Sequence, residues 1–436
     1  MKVISPANAT VMQMLKNFRK PGTSYRKLKY LVDVAVDDGI LLFNLFTREL
    51  LLLSKEEFEN AIDNEYLRKQ WFTVPDDCDE KALVDFVKTF LKSRKPNLTE
   101  ITGYTIFTTT DCNARCFYCF EAGRSRIPMS TETAQEVIKY IENHCNGKKV
   151  SIRWFGGEPL MNQTVIDLIS NGLKEKGIEY SSSMVTNGYL FDDAAINKAV
   201  NLWNLKRVQI SLDGTELVYN KVKAYVNSNG NAFDIVINNI QQLIQSNIHL
   251  TIRLNMDLYN AEDLLALVKF LCQKFEGAKN LSIYAHHLFD ANKPDAELHS
   301  ELEWDARTKA MSKINDEINK YHFHQKTTIS TKLKLNHCMA DSGHSITILP
   351  DGNIGLCEHY IDSDFIGHID TETFNQELIK SFSLTAPEIN ECANCFNYPD
   401  CIMLKRCNST SKCFPQYVAD TRKKVQQKMI NTYTKD

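Results

Sequence analysis

The sequence predicts an α/β protein whose centre is a partial barrel of six strand–helix units, preceded by a small domain and followed by a cysteine-rich domain. Strand and helix patterns alternate six times between about residues 100 and 290, and seven of the thirteen cysteines lie after residue 336. Alternation of this kind predicts parallel strands joined by right-handed crossovers. A (β/α)6 arrangement is a shorter, TIM-like barrel, and its functional residues are expected at the C-terminal ends of the strands.

Residues 1–97 are predicted to form the first domain. Three strands are expected at 30–37, 40–46 and 49–54, with an Asp38-Gly39 turn between the first two. Ser54 and Glu57 have the spacing of a helix capping box. A second helix is predicted over Glu80–Lys92, and Pro96 and Asn97 indicate the domain boundary.

Residues 98–330 are predicted to form the partial barrel, and residues 331–436 the cysteine-rich domain. The expected strands are 104–110, 149–155, 180–186, 207–213, 249–257 and 281–289, with helices between them, for example at 130–144 and 233–246. Residues 291–335 are charged and predict a helical connector. The region after residue 336 is short of periodic elements, so we expect ligands rather than a core to hold it together.

The composition excludes several classes of protein. The chain is 43% hydrophobic and 24% charged with a net charge of -3, which argues against a protein that mainly coats nucleic acid or an anionic membrane. No apolar run approaches the roughly 20 residues needed to span a bilayer, and the N-terminus lacks the apolar core of a signal peptide. We therefore expect a cytoplasmic protein with no membrane or nucleic-acid partner.

The first cysteine group follows the first barrel strand. Cys112, Cys116 and Cys119 have the spacing C-x3-C-x2-C, and no further Cys or His lies in that loop. A structural zinc site normally takes four protein ligands. Three cysteines on a four-iron cluster instead leave one iron open, and an open iron can chelate the amino and carboxylate groups of a small molecule.

This segment resembles the radical S-adenosylmethionine (SAM) superfamily, whose signature is Cys-x3-Cys-x-aromatic-Cys, with Tyr118 in the aromatic position. The resemblance implies a [4Fe–4S] cluster on the three cysteines with SAM on its open iron. It also implies reductive cleavage of SAM and hydrogen abstraction by the resulting 5′-deoxyadenosyl radical. The cofactor supplies this chemistry, while the protein aims the radical and excludes water.

Later strand ends carry further polar residues that the resemblance assigns to SAM. Two glycines of the FGGEP segment allow close backbone approach, and its glutamate can accept a hydrogen bond from an ammonium group. An arginine suits a carboxylate. The implied SAM contacts are Tyr118, Gly156, Gly157, Glu158, Asn187, Ser211 and Arg253. Asp213 is interpreted as part of an Asp-Gly turn, and Lys223 stands where relatives often carry an arginine.

The C-terminal cysteines resemble the SPASM extension of radical SAM enzymes that modify peptides. Two auxiliary [4Fe–4S] clusters are implied, one on Cys338, Cys357 and Cys407 and a distal one on Cys392, Cys395, Cys401 and Cys413. Seven thiolates are one short of two all-cysteine clusters, so the first keeps an open iron, binds a substrate thiolate or takes a non-cysteine ligand. His337, His344 and His359 lie near in sequence. A zinc ribbon at Cys392–Cys395 is the alternative.

The N-terminal pattern resembles the winged-helix element with which peptide-maturing enzymes bind a leader peptide. The leader would add a strand at Leu31–Val36 or 41–46, beside the helix Glu80–Lys92. The alternatives are a capping domain and a DNA-binding winged helix. A DNA-binding winged helix normally has a basic recognition helix, whereas the predicted helical segment 54–66 is acidic.

These resemblances together predict a radical SAM/SPASM peptide maturase. It would abstract hydrogen from a ribosomally made precursor peptide and install one cross-link. A thioether is the first expectation for this bond, and a carbon–carbon or carbon–oxygen link is the second. An external flavodoxin- or ferredoxin-like protein would supply electrons. The alternatives are sulfatase-maturase-like oxidation of Cys or Ser, peptide epimerisation, and a zinc-bearing nucleic-acid-binding protein. The catalytic base is not assigned, and Tyr284, His286 and His287 are interpreted as rim or base residues.

Overall fold

The computed structural model describes residues 1–19, 22–94, 98, 100–226, 228, 230–288, 301–323, 327–359, 363–371, 373–407, 413 and 415–435. The strands in these residues are β1 (Lys2–Ser5), β2 (Tyr25–Lys27), β3 (Leu31–Val36), β4 (Gly39–Asn44), β5 (Leu50–Leu53), β6 (Thr73–Pro75), β7 (Gly103–Thr109), β8 (Val150–Gly156), β9 (Tyr180–Thr186), β10 (Leu205–Leu212), β11 (His249–Met256), β12 (Leu281–His287), β13 (Ser345–Ile348), β14 (Asn353–Gly355) and β15 (Gly367–His368). The α-helices are α1 (Ala9–Leu15), α2 (Lys55–Glu59), α3 (Glu65–Lys69), α4 (Glu80–Lys92), α5 (Thr131–His144), α6 (Gln163–Glu175), α7 (Asp193–Asn201), α8 (Glu216–Lys223), α9 (Ala232–Gln245), α10 (Ala261–Lys274), α11 (Glu301–Lys320), α12 (Gln376–Ser383) and α13 (Pro415–Tyr433).

The N-terminal strands form an antiparallel sheet in the order β1-β5-β4-β3. The β3–β4 hairpin turns at Asp37 and Asp38, with Val36 opposite Gly39. The predicted capping box is present: Ser54 Oγ accepts from Glu57 N, and Glu57 Oε2 accepts from Ser54 N. Because β4 is an interior strand, the prediction that it can receive an added leader strand is wrong; β1 and β3 form the edges of this sheet.

The six barrel strands are parallel and lie in chain order, β7 to β12. The helices between them bury one apolar face against the strands, as Val236, Ile240 and Leu243 of α9 do. This confirms the predicted α/β core with a parallel sheet. All six strand ends face the same edge, which is where the polar motifs lie.

The cysteine-rich region continues the same sheet. β13 pairs in parallel with β7, and β14 and β15 follow in antiparallel pairing, so the sheet has nine described strands. Ile346, Ile348, Ile354 and Leu356 are fully or almost fully buried in the barrel core. The expectation that ligands rather than a core hold this region together is therefore wrong for β13–β15, because their apolar residues share the barrel's core.

Residues of the N-terminal domain share a second core with the C-terminal region. Phe396, Tyr398 and Met429 belong to the same buried cluster as Tyr30 and Phe46. The rings of Tyr30 and Tyr398 stack with centroids 6.3 Å apart. The first domain is therefore packed against the last one rather than independent of it.

Of the predicted connector 291–335, residues 301–320 are helical as α11, whereas residues 327–335 are not; residues 291–300 and 324–326 lie outside the described part of the chain. The boundary residues Pro96 and Asn97 also lie outside it. Of the helices that the structure describes, none is both long enough and apolar enough to cross a membrane.

Candidate active site

The three cysteines of the first group line one wall of a cavity at the C-terminal end of the barrel strands. The cavity has a volume of about 750 Å³. Two backbone hydrogen bonds hold the cysteine loop to the segment that ends α8: Arg115 N donates to Lys223 O at 2.8 Å, and Val226 N donates to Asn113 O at 2.8 Å. The loop is therefore fixed by the fourth strand–helix unit of the barrel as well as by β7.

The thiols of this loop are half-buried and close enough to interact electrostatically. Burial raises the pKa of the Cys112 thiol to about 12, and Glu158 and the other two thiols add to the rise. Burial likewise raises the pKa of Cys116 and Cys119. A metal or iron–sulfur cluster bound here would displace the protons that the metal-free thiols hold firmly, so its binding would release protons.

Within the described residues, no group of three or more His, Cys, Asp or Glu side chains could hold a metal ion. A cubane spreads its cysteine ligands over separate irons, so these cysteines need not converge as the ligands of one zinc ion do. The shared cavity wall and the mutual pKa effects fit such a cluster. The assignment of Cys112, Cys116 and Cys119 to it stays a prediction.

The two glycines at the end of β8 are required by the chain's own backbone. A Cβ on Gly156, where φ is +130°, would lie 2.1 Å from Thr109 O, and a Cβ on Gly157 would lie 2.2 Å from Asp111 O. Gly157 N and Glu158 N donate to Thr109 O and Asp111 O, at 3.0 and 2.9 Å. The glycines thus bring the end of β8 against the start of the cysteine loop.

Glu158 does not line the cavity, unlike every other residue predicted to contact SAM. Its carboxylate is fully buried, and it accepts hydrogen bonds from Leu160 N, Thr186 Oγ1 and Asn187 N at 3.1, 2.8 and 2.8 Å. Burial raises its pKa to about 7. Three donors of the chain bind this carboxylate, which ties the glycine loop to the end of β9; its contact with the ammonium group of SAM stays a prediction.

A buried charged network lies beside the cysteines. Asp213 and Lys223 are both almost fully buried, and their Oδ2 and Nζ atoms are 3.1 Å apart. Asp213 Oδ1 accepts from Tyr118 OH at 2.7 Å and from Asn255 Nδ2 at 3.0 Å, and Lys223 Nζ donates to Ser211 Oγ at 2.7 Å. Asp213 is therefore an ion-pair partner, and its interpretation as a turn residue is incomplete.

The charge on Lys223 is maintained by its neighbours. Burial alone would lower the pKa of this amine, but Asp213 and Tyr118 raise it well above its usual value. Lys223 lines the cavity together with Ser211 and Tyr118. Sequence reasoning missed it as a functional residue; its position soon after the SLDG segment, in the place of an arginine, was the available signal.

Arg253 and Asn187 also line the cavity. Arg253 Nη2 lies 3.1 Å from His286 Nδ1, and its buried Nε has no hydrogen-bond partner among the described residues. Burial, together with the positive charge of Arg253, lowers the pKa of His286 to about 4, so this imidazole is neutral at pH 7. Asn187 Nδ2 donates to Asn113 Oδ1 at 2.7 Å and lies 3.7 Å from Cys112 Sγ.

The C-terminal cysteines fall into the two predicted groups. Burial raises the pKa of Cys357 to about 12, with further contributions from Glu358, Cys338 and Cys407. Burial raises the pKa of Cys401 to about 11; Cys413, Cys395 and Cys392 add to it. Electrostatic proximity thus separates the set 338, 357, 407 from the set 392, 395, 401, 413, although metal ligation itself stays a prediction.

The first of these sets adjoins the main cavity. Glu358 and His359, which follow Cys357, line the same cavity as the three cysteines of the first group. The ring of His359 lies 4.7 Å from that of Phe120. A molecule in the cavity can therefore lie between the first cysteine loop and the segment after Cys357.

The chain matches known proteins over this region. Residues 106–271 match the model of the radical SAM superfamily. A GTP 3',8-cyclase of Clostridium perfringens is 25% identical over 276 residues, which cover 60% of this chain and 81% of the cyclase. An uncharacterized protein of Methanocaldococcus jannaschii is 26% identical over 265 residues, which cover 60% of this chain and 86% of that protein.

Two solved structures share the fold. The structure of anSMEcpe with bound AdoMet is 18% identical with a TM-score of 0.56, covering 77% of this chain and 96% of that one. Streptococcus suis SuiB bound to precursor peptide SuiA is 13% identical with a TM-score of 0.52, covering 87% and 94%. We therefore identify residues 106–271 as a radical SAM domain and the chain that carries it as an enzyme.

Proposed function

We propose that this chain reductively cleaves SAM and abstracts hydrogen from a ribosomally made precursor peptide to install a cross-link. A thioether is the first expectation, and a carbon–carbon or carbon–oxygen link is the second. One cavity supports this proposal: it is lined by the three cysteines of the first group, by the predicted SAM contacts other than Glu158, and by the residues after Cys357. That arrangement suits a substrate held between a SAM site and an auxiliary cluster.

The residues around the cavity have complementary roles in holding SAM. Cys112, Cys116 and Cys119 would hold the [4Fe–4S] cluster, which supplies the electron that cleaves SAM. Lys223 and Arg253 present two cations for the SAM carboxylate, and an arginine can bind a carboxylate through two parallel hydrogen bonds. Ser211 and Asn187 present hydroxyl and amide groups suited to the ribose and the amino-acid portion. Tyr118 and Asp213 keep Lys223 charged and in place.

The cross-linking reaction balances without added oxygen. One electron from a flavodoxin- or ferredoxin-like donor cleaves SAM, and one hydrogen atom of the peptide ends in 5′-deoxyadenosine. The second partner group, a thiol in the thioether case, loses a proton when the new bond forms. An auxiliary iron–sulfur cluster held by Cys338, Cys357 and Cys407 would accept the remaining electron. The peptide therefore loses two hydrogens.

Leader recognition would use an edge of the N-terminal sheet. β3 is one edge, and α13 already contacts it: Gln426 Nε2 donates to Asp33 O at 2.8 Å, and Arg422 Nη1 donates to Leu31 O at 3.5 Å. A leader that adds at β3 must replace these two side-chain hydrogen bonds with its own backbone bonds. Once bound, it raises the effective concentration of the core peptide near the cavity. A peptide partner is in keeping with the structural relative SuiB, which was solved bound to precursor peptide SuiA.

The defining experiment is SAM cleavage by anaerobically reconstituted enzyme with dithionite. We expect 5′-deoxyadenosine and methionine from the wild-type protein, and background levels from a Cys112→Ala, Cys116→Ala, Cys119→Ala variant, because cleavage requires the cluster. Cys78→Ala is the matched control, since this half-buried thiol lies in the N-terminal domain. Cleavage by the triple variant at the wild-type rate would refute the proposal.

The substrate class is tested with a second readout. We expect a short precursor peptide to be encoded beside the gene of this chain, and this peptide should lose about 2 Da on reaction, since two hydrogens leave. The relatives named GTP 3',8-cyclase favour a nucleotide substrate as the second candidate. SAM-dependent consumption of GTP with an unchanged peptide would establish that candidate instead, and one inverted centre at unchanged mass would indicate epimerisation.

A further inference from the structure

The auxiliary cysteines leave one ligand position to explain. Seven C-terminal cysteines divide into a set of four and a set of three, and two all-cysteine [4Fe–4S] clusters need eight. The incomplete set is Cys338, Cys357 and Cys407. A histidine, His337, lies next to this set in space and not only in sequence.

His337 is held firmly at the backbone. Its N–H donates to both oxygens of Asp341, at 3.0 and 2.9 Å, and the N–H of Cys338 donates to Asp341 Oδ1 at 3.0 Å. One carboxylate thus fixes the turn from which the His337 and Cys338 side chains project.

The ring of His337 has the hydrogen bonding of a metal ligand. Nδ1 lies 2.9 Å from the carbonyl oxygen of Ile402, and a carbonyl can only accept, so Nδ1 carries the proton. In the neutral ring the lone pair is then on Nε2, which lies 3.6 Å from Cys407 Sγ. Histidines that bind metals through one nitrogen typically donate the other N–H to a carbonyl or carboxylate in this way.

Other nearby donors are less suited to that position. Asp341 is engaged by three backbone N–H bonds. His344 has Nδ1 3.1 Å from Ser342 O, two residues away in its own turn. Glu358 and His359 line the large cavity, on the side of Cys357 that faces the first cysteine loop. His337 is the donor whose Nε2 contacts a cysteine of the incomplete set, Cys407.

We propose that Nε2 of His337 is the fourth protein ligand of the auxiliary cluster held by Cys338, Cys357 and Cys407. This inference rests on the proposed function, of which that cluster is a part. It also restricts the bond formed: a thioether formed through cluster-bound thiolate requires the substrate thiolate to displace this imidazole, whereas carbon–carbon and carbon–oxygen links do not.

The test uses the full chain with Cys112, Cys116 and Cys119 replaced by alanine, so that only auxiliary clusters contribute signals. The protein is labelled with 15N-histidine, reconstituted, reduced and measured by pulsed electron paramagnetic resonance. We expect about eight irons per chain and the coupling of a directly bound 15N nucleus. His337→Ala and His337→Cys should abolish the coupling, and His337→Cys should retain the iron because a thiolate replaces the imidazole. His344→Ala should keep both.

The outcomes separate this inference from the function on which it rests. Full auxiliary iron with no 15N coupling, or a coupling that persists in His337→Ala, would overturn the histidine ligand and leave the proposed enzyme standing. If the variant that lacks Cys112, Cys116 and Cys119 binds no iron, the auxiliary clusters and the histidine ligand are both refuted. The 15N coupling could also disappear in Glu358→Gln and persist in His337→Cys. That result would contradict the assignment of His337 as the ligand.

Discussion

At the scale of single residues, the Asp213–Lys223 pair is the least replaceable part of the site. Both side chains are almost fully buried with their charged atoms 3.1 Å apart, so removing one leaves the other charge without compensation in a medium that solvates it poorly. Tyr118 OH and Asn255 complete the shell of Asp213. The pair therefore serves both the stability of the site and its charge.

These two roles can be separated by mutation. Lys223→Met should lower the free energy of unfolding by about 3–5 kcal/mol, because it leaves a buried carboxylate unpaired. The double variant Asp213→Asn, Lys223→Met should recover most of that loss of stability. The affinity for SAM should nevertheless fall about tenfold or more in both the single and the double variant, since the cation facing the cavity is gone.

The measurements are urea unfolding and SAM titration of reconstituted protein with matched iron content. Arg207→Met is the control for loss of a cavity-lining cation on β10. A double variant that binds SAM as tightly as the wild type would restrict Lys223 to a structural role.

Some residues of the site can be predicted from a local sequence motif, whereas others depend on contacts between distant parts of the chain. Cys112, Cys116, Cys119 and Tyr118 are given by a short local pattern, and the structure places all four at the cavity. For Asp213 the local pattern predicts only a turn, because Asp-Gly is a common turn sequence. Its burial depends on Tyr118, which lies 95 residues away in sequence, and no local pattern reports such a contact.

At the scale of elements, the junction of β7 and β8 positions the cysteine loop. Gly157→Ala should shift that loop, because the new Cβ would lie 2.2 Å from Asp111 O and 2.6 Å from its carbonyl carbon. We expect destabilisation of about 1–3 kcal/mol and loss of iron from the first cluster.

Gly177→Ala provides the matched control for this glycine. Its φ is +67° and a Cβ there meets nothing within 4 Å, so the substitution should cost about 1–2 kcal/mol through backbone strain alone. Iron content and thermal unfolding of the two variants are compared. Equal iron content in both would show that the cysteine loop tolerates the displacement.

Elements with a strong local period are predictable, whereas pairings between distant elements are not. The strand β9 and the helix α4 have the predicted bounds, since alternation and amphipathic spacing are local properties. The parallel pairing of β13 with β7 joins residues 345–348 to 103–106, and nothing in either segment specifies the other. The helix α13 is not predicted, because apolar residues such as Val418, Val425 and Met429 are sparse among charged ones.

At the scale of the whole molecule, the first and last domains form one packing unit. Arg48 donates to both oxygens of Asp400, at 2.9 and 2.8 Å, and also to Ser330 O and Leu45 O. Tyr398 OH lies 2.6 Å from Asp85 Oδ1 of α4 and 2.8 Å from Glu388 Oε1, and donates its single hydrogen to one of the two carboxylates. Tyr398 lies between Cys395 and Cys401, so the packing of the N-terminal domain reaches the proposed distal cluster.

Deletion of residues 1–97 should therefore do more than remove a leader-binding surface. It removes Tyr30, Phe46 and Arg48 from the core that covers Tyr398 and Met429, so those side chains become exposed. We expect the truncated protein to lose about four of its irons, those of the distal cluster, while the first cluster is kept. Tyr398→Ala in the full chain should reproduce this loss, and Tyr398→Phe, which keeps the ring stack, should lose less.

Iron analysis of these three proteins decides whether activity after truncation is informative. If the truncated chain kept all its iron, the N-terminal domain would be a separable module, and its deletion would directly distinguish a leader-dependent maturase from a sulfatase-maturase-like enzyme. If iron falls as expected, an inactive truncation reports only the loss of a cluster. Leader dependence must then be tested with substitutions on the outer edge of β3, such as Ala35→Pro, which removes a backbone donor that faces away from β4 and leaves the β3–β4 pairing in place.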